Sequence, residues 1–205
     1  VPTFEPTTTP PELSALSTLY AAAGGASLAG WTNSKNWLSG NHPCQSSSQW
    51  YGVECGGDAT NNSVTGLRLA SSNLTGSLPT QLSYLSKLST LDVSENALTG
   101  RLPTQLGSLL KLKDSFDLGS NSLSGALPTQ LGKLTGLTGR LGVSYNSFTS
   151  SLPAQFSSLS TVARFALQGN AELCGDVPNG ISNYTTAGTS VGGNCYFFGD
   201  EGRAL

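Results

Sequence analysis

The cysteines are the residues of this sequence whose number and spacing point most directly to chemistry. Cys44 and Cys55 form one close pair, and Cys174 and Cys195 form another. An even count in two local groups indicates disulfides made in an oxidising compartment, although four cysteines allow more than one connectivity. A zinc site is the alternative, which the absence of CxxC spacing and of a second histidine beside His42 disfavours.

The remaining reactive side chains do not form a catalytic pattern. The sequence contains no P-loop motif, and its single histidine leaves no metal-binding triad. Asp92 and Asp117 raise the idea of a carboxylate pair, but an open face would not desolvate them enough to separate their pKa values. We therefore expect no enzymatic activity, no cofactor and no bound metal.

The sequence contains an internal repeat, which determines the secondary-structure elements that position these residues. Short apolar stretches each end in an asparagine, at spacings of 23, 25, 25 and 24 residues, and each is soon followed by an apolar residue and a proline. The asparagines are Asn73, Asn96, Asn121, Asn146 and Asn170. A period of about 20 to 29 residues is typical of a solenoid, in which each unit buries its apolar face by stacking on its neighbours.

The repeated letters resemble the plant-type extracellular leucine-rich repeat, LxxLxxLxLxxNxLxGxLPxxLGxL. The likeness covers residues 64–180 and includes segments such as LDVSENALTGRLP and FDLGSNSLSGALP. It implies an α/β solenoid, a right-handed superhelix with a parallel concave sheet, about five repeats and a disulfide-bearing cap at each end. Because the ends of a solenoid are far apart, we expect only the local pairs Cys44–Cys55 and Cys174–Cys195 to be bridged.

The caps and the repeats divide the chain into four segments. We expect a Thr/Pro-rich leader at 1–11, a helical N-terminal cap at 12–63, the repeats at 64–173 and a C-terminal cap at 174–205. The tryptophans of the N-terminal cap are predicted to be core residues, because a cap must bury aromatic area over the first coil. They are Trp31, Trp37 and Trp50.

Each unit has a predictable internal structure. Alternation such as that of Leu91 and Val93 predicts a short strand with one buried face. The asparagines, Asn73 included, are expected to form a ladder that satisfies the backbone groups of successive turns. Leucines at three-residue intervals predict short 3₁₀ segments on the convex side. Small bulges are expected between Leu69 and Asn73 in unit one and before the strands of units three and four. Ser150, which replaces a corner glycine, predicts a distorted corner.

Composition and charge exclude several classes of function. The net charge of −2 and the low charged fraction of 11% leave no basic surface for nucleic acid. No apolar run is long enough to span a membrane, and a chain that begins at Val1 suggests that a signal peptide has been removed. Sequons occur at Asn61, Asn73 and Asn183; glycosylation is expected at Asn61 and Asn183, and Asn73 is discounted as a ladder residue.

The outward-facing strand residues form the candidate partner-binding surface. They are Arg68, Asp92, Glu95, Asp117, Arg140, Tyr145, Arg164 and Gln168. An acidic group thus lies beside a group of arginines and a tyrosine, although an ordinary solvated face is the alternative interpretation. Strands about 4.8 Å apart give a face of roughly 250 Å², against about 800 Å² per partner in a standard interface.

These features predict a secreted or cell-surface recognition module that binds a protein, peptide or glycan. The resemblance implies the same role, since it extends to receptor-like ectodomains and polygalacturonase inhibitors. The alternative is a non-catalytic structural or adhesive subunit, as a weak homo-oligomer, within a larger assembly or on an ice or wall-polymer surface. A row of hydroxyl residues bears on that alternative: Thr75, Thr99, Ser124 and Thr149.

Overall fold

A computed structural model of the chain describes residues 10–25, 30–39, 43–44, 49–57, 63–174, 177–179 and 181. The leader up to residue 9, His42, the sequons at Asn61 and Asn183, and Cys195 lie outside these ranges, so the predictions made for them stay predictions.

One α-helix, four 3₁₀ helices and eleven short strands make up the described chain. The helix α1 spans Pro10–Ala22, and the 3₁₀ helices are Thr80–Tyr84, Thr104–Ser108, Thr129–Lys133 and Ala154–Ser158. The strands are β1 (Val53–Gly56), β2 (Ser63–Arg68), β3 (Thr75–Gly76), β4 (Thr90–Asp92), β5 (Ala97–Gly100), β6 (Ser115–Asp117), β7 (Ser122–Ala126), β8 (Arg140–Gly142), β9 (Ser147–Ser151), β10 (Arg164–Ala166) and β11 (Glu172–Cys174).

The strands form two sheets that run along the array. The first has six strands in the order β1-β2-β4-β6-β8-β10, and the second has five in the order β11-β9-β7-β5-β3. All pairs are parallel except β1 with β2, where the cap strand closes the sheet in antiparallel fashion. One strand per unit in each sheet confirms the predicted solenoid, and the 3₁₀ helices occupy the convex side as predicted.

The core is one continuous apolar cluster along the units. Leu82, Leu85 and Leu88 are fully buried in the first convex segment, and Phe148 and Phe156 are fully buried later in the array. Each such side chain contributes about 1.5 to 3 kcal/mol on burial. Because neighbouring units share this cluster, the strands of the concave face are held at fixed spacing.

Asparagine side chains connect the coils as a ladder. The Asn96 amide Nδ2 donates to the carbonyl of Leu69 in the preceding coil at 2.8 Å and to that of Val93 in its own turn at 2.9 Å. Its Oδ1 accepts from the N–H of Leu74 at 2.9 Å. The same pattern recurs at Asn121, Asn146 and Asn170. The predicted ladder is therefore confirmed for four of the asparagines.

The prediction that Asn73 belongs to this ladder is wrong. Leu67 pairs with Leu91 across the sheet, so that Ser72 aligns with Asn96, and Asn73 falls one residue beyond. Ser72 is buried, and its N–H donates to the Asn96 Oδ1 at 3.0 Å. Asn73 is exposed and donates to the Gly30 carbonyl in the cap at 3.1 Å. Unit one therefore begins the ladder with a serine.

Two smaller expectations had opposite outcomes. Ser150 takes a φ of 69°, close to the 80° of Gly125 at the equivalent corner, so the predicted distortion is absent. The bulge expected in unit one is absent, because Ser72 holds the ladder position and no residue is extra. Those of units three and four are present: in unit three the N–H groups of Lys113 and Asp114 both donate to the Ser89 carbonyl, at 3.0 and 3.1 Å. The extra residue of the unit is absorbed there, and the strands that follow stay in register.

The N-terminal cap packs as the sequence predicts. Trp31, Trp37 and Trp50 are buried, and the Trp31 indole donates to the Ala23 carbonyl at 2.7 Å. The disulfide Cys44–Cys55 is present. None of the helices in the described ranges has the length and apolarity needed to cross a bilayer.

Glu12 of α1 is an acidic residue in this apolar junction. Its side chain is buried against the first coil, where its carboxylate accepts a hydrogen bond from the Val64 N–H while Oε2 is left without a partner. Burial raises the pKa of Glu12 above its ordinary 4.5, against the opposing effects of that hydrogen bond and of the Lys87 charge. The folded state thus keeps this proton to higher pH than the unfolded chain does.

Replacing Glu12 with glutamine is expected to change how stability depends on pH. With a raised pKa, ionisation costs stability as the pH rises from the ordinary value through the raised one, and the cost is complete above it. The glutamine variant lacks this loss. The melting temperature of Glu12→Gln minus that of the wild type should therefore increase between about pH 3.5 and pH 7. A difference that stays constant over this range would contradict the assignment.

Candidate partner-binding face

The outward side of the concave sheet brings five of the eight predicted site residues into two rows. Arg68, Asp92 and Asp117 are direct neighbours across β2, β4 and β6. Arg140 and Arg164 are direct neighbours across β8 and β10, two residues earlier on their strands than the first row. Adjacent strands lie about 4.8 Å apart, so the rows form one strip of charged side chains.

Asp117 lies at the centre of the strip and is held from two sides. Its Oδ1 accepts from the Gly119 N–H at 3.0 Å, and Oδ2 lies within ion-pair distance of the Arg140 Nε. The contact with Arg140 has the distance of a salt bridge without the angle of a hydrogen bond. Gly142 makes room for it, since a Cβ there would overlap the Asp117 carboxylate. The two charges largely neutralise each other.

The acidic residues on the N-terminal side of this pair are held by hydrogen bonds and, among the residues that the structure describes, not by cations. Asp92 folds over its own strand, and its Oδ1 accepts from the Ser94 N–H at 3.1 Å and from the Ser94 hydroxyl at 2.7 Å. Glu95 accepts from the Ser71 hydroxyl at 2.6 Å. Arg68, the neighbour of Asp92, pairs with Glu54 on β1. Within the described ranges no cation pairs with Asp92 or Glu95.

The C-terminal side of the strip is basic and aromatic. Arg164 is exposed and has no ion-pair partner in the described part of the chain. Tyr145 is 59% exposed, and its ring lies over Gly169, where a Cβ would come within 2.5 Å of it. Gln168 is half-buried, with its Oε1 shielded from solvent and without a hydrogen-bond partner. This end therefore offers one uncompensated positive charge, at Arg164, and one exposed aromatic ring, at Tyr145.

The sequence predicted these residues but not how they are held. Ser144 and Ala166, which the alternation also turns outward, are buried under their neighbours. A row of left-handed residues follows the strands: Ser71, Glu95, Ser120, Tyr145 and Gly169. Of these residues, only Gly169 is of a type that predicts a left-handed backbone from the sequence. The row fixes the direction in which the Glu95 and Tyr145 side chains leave the sheet.

A shallow groove in the N-terminal cap adjoins the strip and was missed by sequence reasoning. It has a volume of about 530 Å³ and is lined by residues that include Lys35, Gln49, Tyr51, Glu54 and Arg68. Tyr51 is 39% exposed, although the neighbouring Trp50 is buried as predicted. The groove and the strip meet at Arg68, so a ligand on the strip can extend into the cap.

The hydroxyl row lies outside this strip, at the second sheet. Thr99 donates to the Gly76 carbonyl of the preceding coil at 3.1 Å. This bond uses the hydroxyl to link the backbone of two corners, as serine and threonine commonly do in turns.

Comparison with known proteins identifies the family to which this architecture belongs. The family model described as Leucine Rich Repeat matches residues 87–109. A probable leucine-rich repeat receptor-like protein kinase of Arabidopsis thaliana is 43% identical over 65 residues, which is 32% of this chain and 6% of the kinase. The chain thus matches only a small part of that protein.

Solved structures match over a longer range. A chain of the BIR3–SERK2 complex from Arabidopsis thaliana is 30% identical with a TM-score of 0.70, and the match covers 89% of this chain and 93% of that one. The ectodomain of the Arabidopsis membrane receptor kinase GASSHO1/SCHENGEN3, in complex with CASPARIAN STRIP INTEGRITY FACTOR 2, is 27% identical with a TM-score of 0.71, over 82% of this chain and 19% of that one. The chain belongs to the plant-type extracellular leucine-rich repeat family.

Proposed function

We propose that this chain is a non-catalytic extracellular recognition module that binds a short extended peptide along the charged strip. The observation that carries the proposal is the separation of uncompensated charge: Asp92 and Glu95 lie on one side of the Asp117–Arg140 pair, and Arg164 lies on the other. Both structural relatives described above were solved in complexes with other proteins or ligands. Such complexes support a binding role for the same fold here.

The dimensions of the strip favour a peptide over a globular partner. From β4 to β10 there are three strand spacings in the sheet order, or about 14 Å, which about four extended residues would span. The fitting ligand carries a basic group that faces Asp92 and Glu95 and an acidic group that faces Arg164. The acidic side chains are already fixed by their hydrogen bonds, so little conformational entropy is lost when a ligand binds.

Separate observations support an extracellular location. Cys44 and Cys55 form a disulfide. Disulfides persist in oxidising compartments and are rare in cytosolic proteins. The relatives include the ectodomain of a membrane receptor kinase. These two facts support secretion or display at the cell surface.

A double variant at the basic end tests the proposal. The variant combines Tyr145→Asn with Arg164→Glu. Asparagine tolerates the φ of 51° at position 145, and glutamate reverses the uncompensated charge at position 164. We expect linear peptides selected from a displayed random library on the wild-type chain to contain an acidic residue. Their affinity for the double variant should fall at least about tenfold, as for loss of an interface hot spot, while the melting temperature stays unchanged.

The matched control is Lys133→Glu, which makes the same change of charge on the convex side. It should retain every selected peptide. Peptides that bind the double variant and the wild type equally well would show that the concave strip is not the binding site. Loss of binding in the Lys133 variant as well would indicate a nonspecific effect of net charge.

A further inference from the structure

We propose that Asn73 is an N-glycosylation site of the secreted chain. Asn73, Leu74 and Thr75 form an N-x-T sequon. The structure removes the objection to its use, because the ladder position of this unit is held by Ser72 and the Asn73 side chain is exposed. The inference rests on the proposed secretion of the chain but not on the proposed peptide binding.

The one-residue offset of unit one is what creates this sequon. In the other units, the residue two positions after the ladder asparagine is Leu98, Leu123, Phe148 or Glu172. The first three of these side chains are fully buried in the core, so a hydroxyl residue could replace them only at the cost of packing. At Asn73 the core residue Leu74 comes one position later instead, and the exposed Thr75 follows it.

The local conformation can accept the modification. Asn73 has a φ of 58°, in the left-handed region that asparagine tolerates. Its Nδ2 donates to the Gly30 carbonyl at 3.1 Å. An amide nitrogen carries two hydrogens, and a sugar replaces one of them. The exposure of the Asn73 side chain leaves room for a glycan beside the cap.

The transfer needs a lipid-linked oligosaccharyl pyrophosphate as the co-reactant. The Asn73 Nδ2 forms the new bond to C1 of the first sugar and loses one proton. The C1–O bond to the pyrophosphate breaks, and the lipid pyrophosphate leaves with the electron pair. No oxidant or reductant is required. The enzyme acts on the sequon as extended chain, and the folded structure decides whether the product is tolerated.

The glycan would lie at the N-terminal end of the array and leave the basic end of the strip open. Asn73 follows β2, whereas Arg164 lies on β10, four strand spacings along the sheet, or about 19 Å. We therefore expect removal of the sequon to leave binding at Tyr145 and Arg164 unaffected.

Peptide mapping of the chain secreted from a eukaryotic host tests the proposal. The wild type is expected to carry a glycan on Asn73, and Asn73→Gln and Thr75→Ala should each lack it. Thr75→Ser keeps the sequon and should restore it. Recovery of the Asn73 peptide in unmodified form from the secreted wild-type chain would overturn the proposal.

A second measurement asks whether the fold tolerates the glycan. The glycosylated chain and the same chain after enzymatic removal of its glycans should melt at the same temperature, or the glycosylated form should melt higher. If Asn73 were a buried rung of the ladder, the glycosylated chain would fail to pack its first unit. A lower melting temperature that Asn73→Gln restores would overturn the inference that the structure accommodates a glycan there.

Discussion

Replacing Asn146 with alanine is expected to lower the free energy of unfolding by about 3 kcal/mol or more, since each buried group left without a hydrogen bond costs about 1 to 3 kcal/mol. The Asn146 side chain is buried; its Oδ1 accepts from the Leu123 N–H at 2.9 Å, and its Nδ2 donates to the Leu118 carbonyl at 3.0 Å. The substitution leaves both backbone groups unsatisfied between two coils. Urea denaturation measures the change.

The chain offers a matched control at Asn73, whose side chain is exposed. Asn73→Gly keeps the left-handed backbone without strain and removes the side-chain bond to Gly30. It should cost clearly less than Asn146→Ala, because water can replace an exposed side chain as the hydrogen-bond partner of the groups that it leaves. Equal losses at both positions would mean that Asn73 is a ladder residue after all.

Gly139→Ala is expected to destabilise the array by about 2 kcal/mol, within the usual range for forced overpacking. A Cβ at this position would overlap the backbone carbonyl oxygen of Asp114 in the neighbouring coil. The Arg140 N–H donates to the same carbonyl at 3.2 Å. A carbonyl cannot rotate away as a side chain can, so the two coils must separate and the bond to Arg140 weakens.

Gly136→Ala is the control for this substitution, three residues earlier in the same segment. A Cβ there would lie 3.6 Å from the carbonyl oxygens of Leu110 and Leu112, at ordinary contact distance. Its effect should stay within about 0.5 kcal/mol. Thermal unfolding of both variants decides the matter, and equal melting temperatures would contradict the close approach of the coils at Gly139.

The sequence predicted the fold well because each unit contacts only its neighbours, so one period repeated along the chain fixes the architecture. The ladder position of unit one was assigned wrongly to Asn73 because residue type alone did not identify it. Both Ser72 and Asn73 are polar, and asparagine is the ladder residue elsewhere, so the choice between them followed residue type. The decisive signal was the distance to the core: Leu98 follows Asn96 by two residues, and Leu74 follows Ser72 by two.

The other incorrect or missing predictions have a common physical reason. Pairing with adjacent strands overrides the conformational preference of the individual residue. Ser150 adopts a left-handed φ because β9 is paired on both sides, so the backbone must turn there whatever its side chain. The pairing of Arg68 with Glu54 depends on β1, a cap strand outside the repeat pattern. The alternation gave the direction of the strip residues but could not give their partners.

The bulges at the start of the third and fourth units keep the strands that follow them in register. The Thr138 and Gly139 N–H groups donate to the Lys113 carbonyl just as Lys113 and Asp114 donate to Ser89. The third and fourth coils are thus joined to the coils before them by the same connection. Adding or removing one coil between Asp92 and Arg164 would therefore change the distance between them by one strand spacing. The packing within every other coil would stay intact. The number of coils thus sets the distance between the acidic and the basic charges that a ligand must match. Evolution can change this distance in steps of one coil.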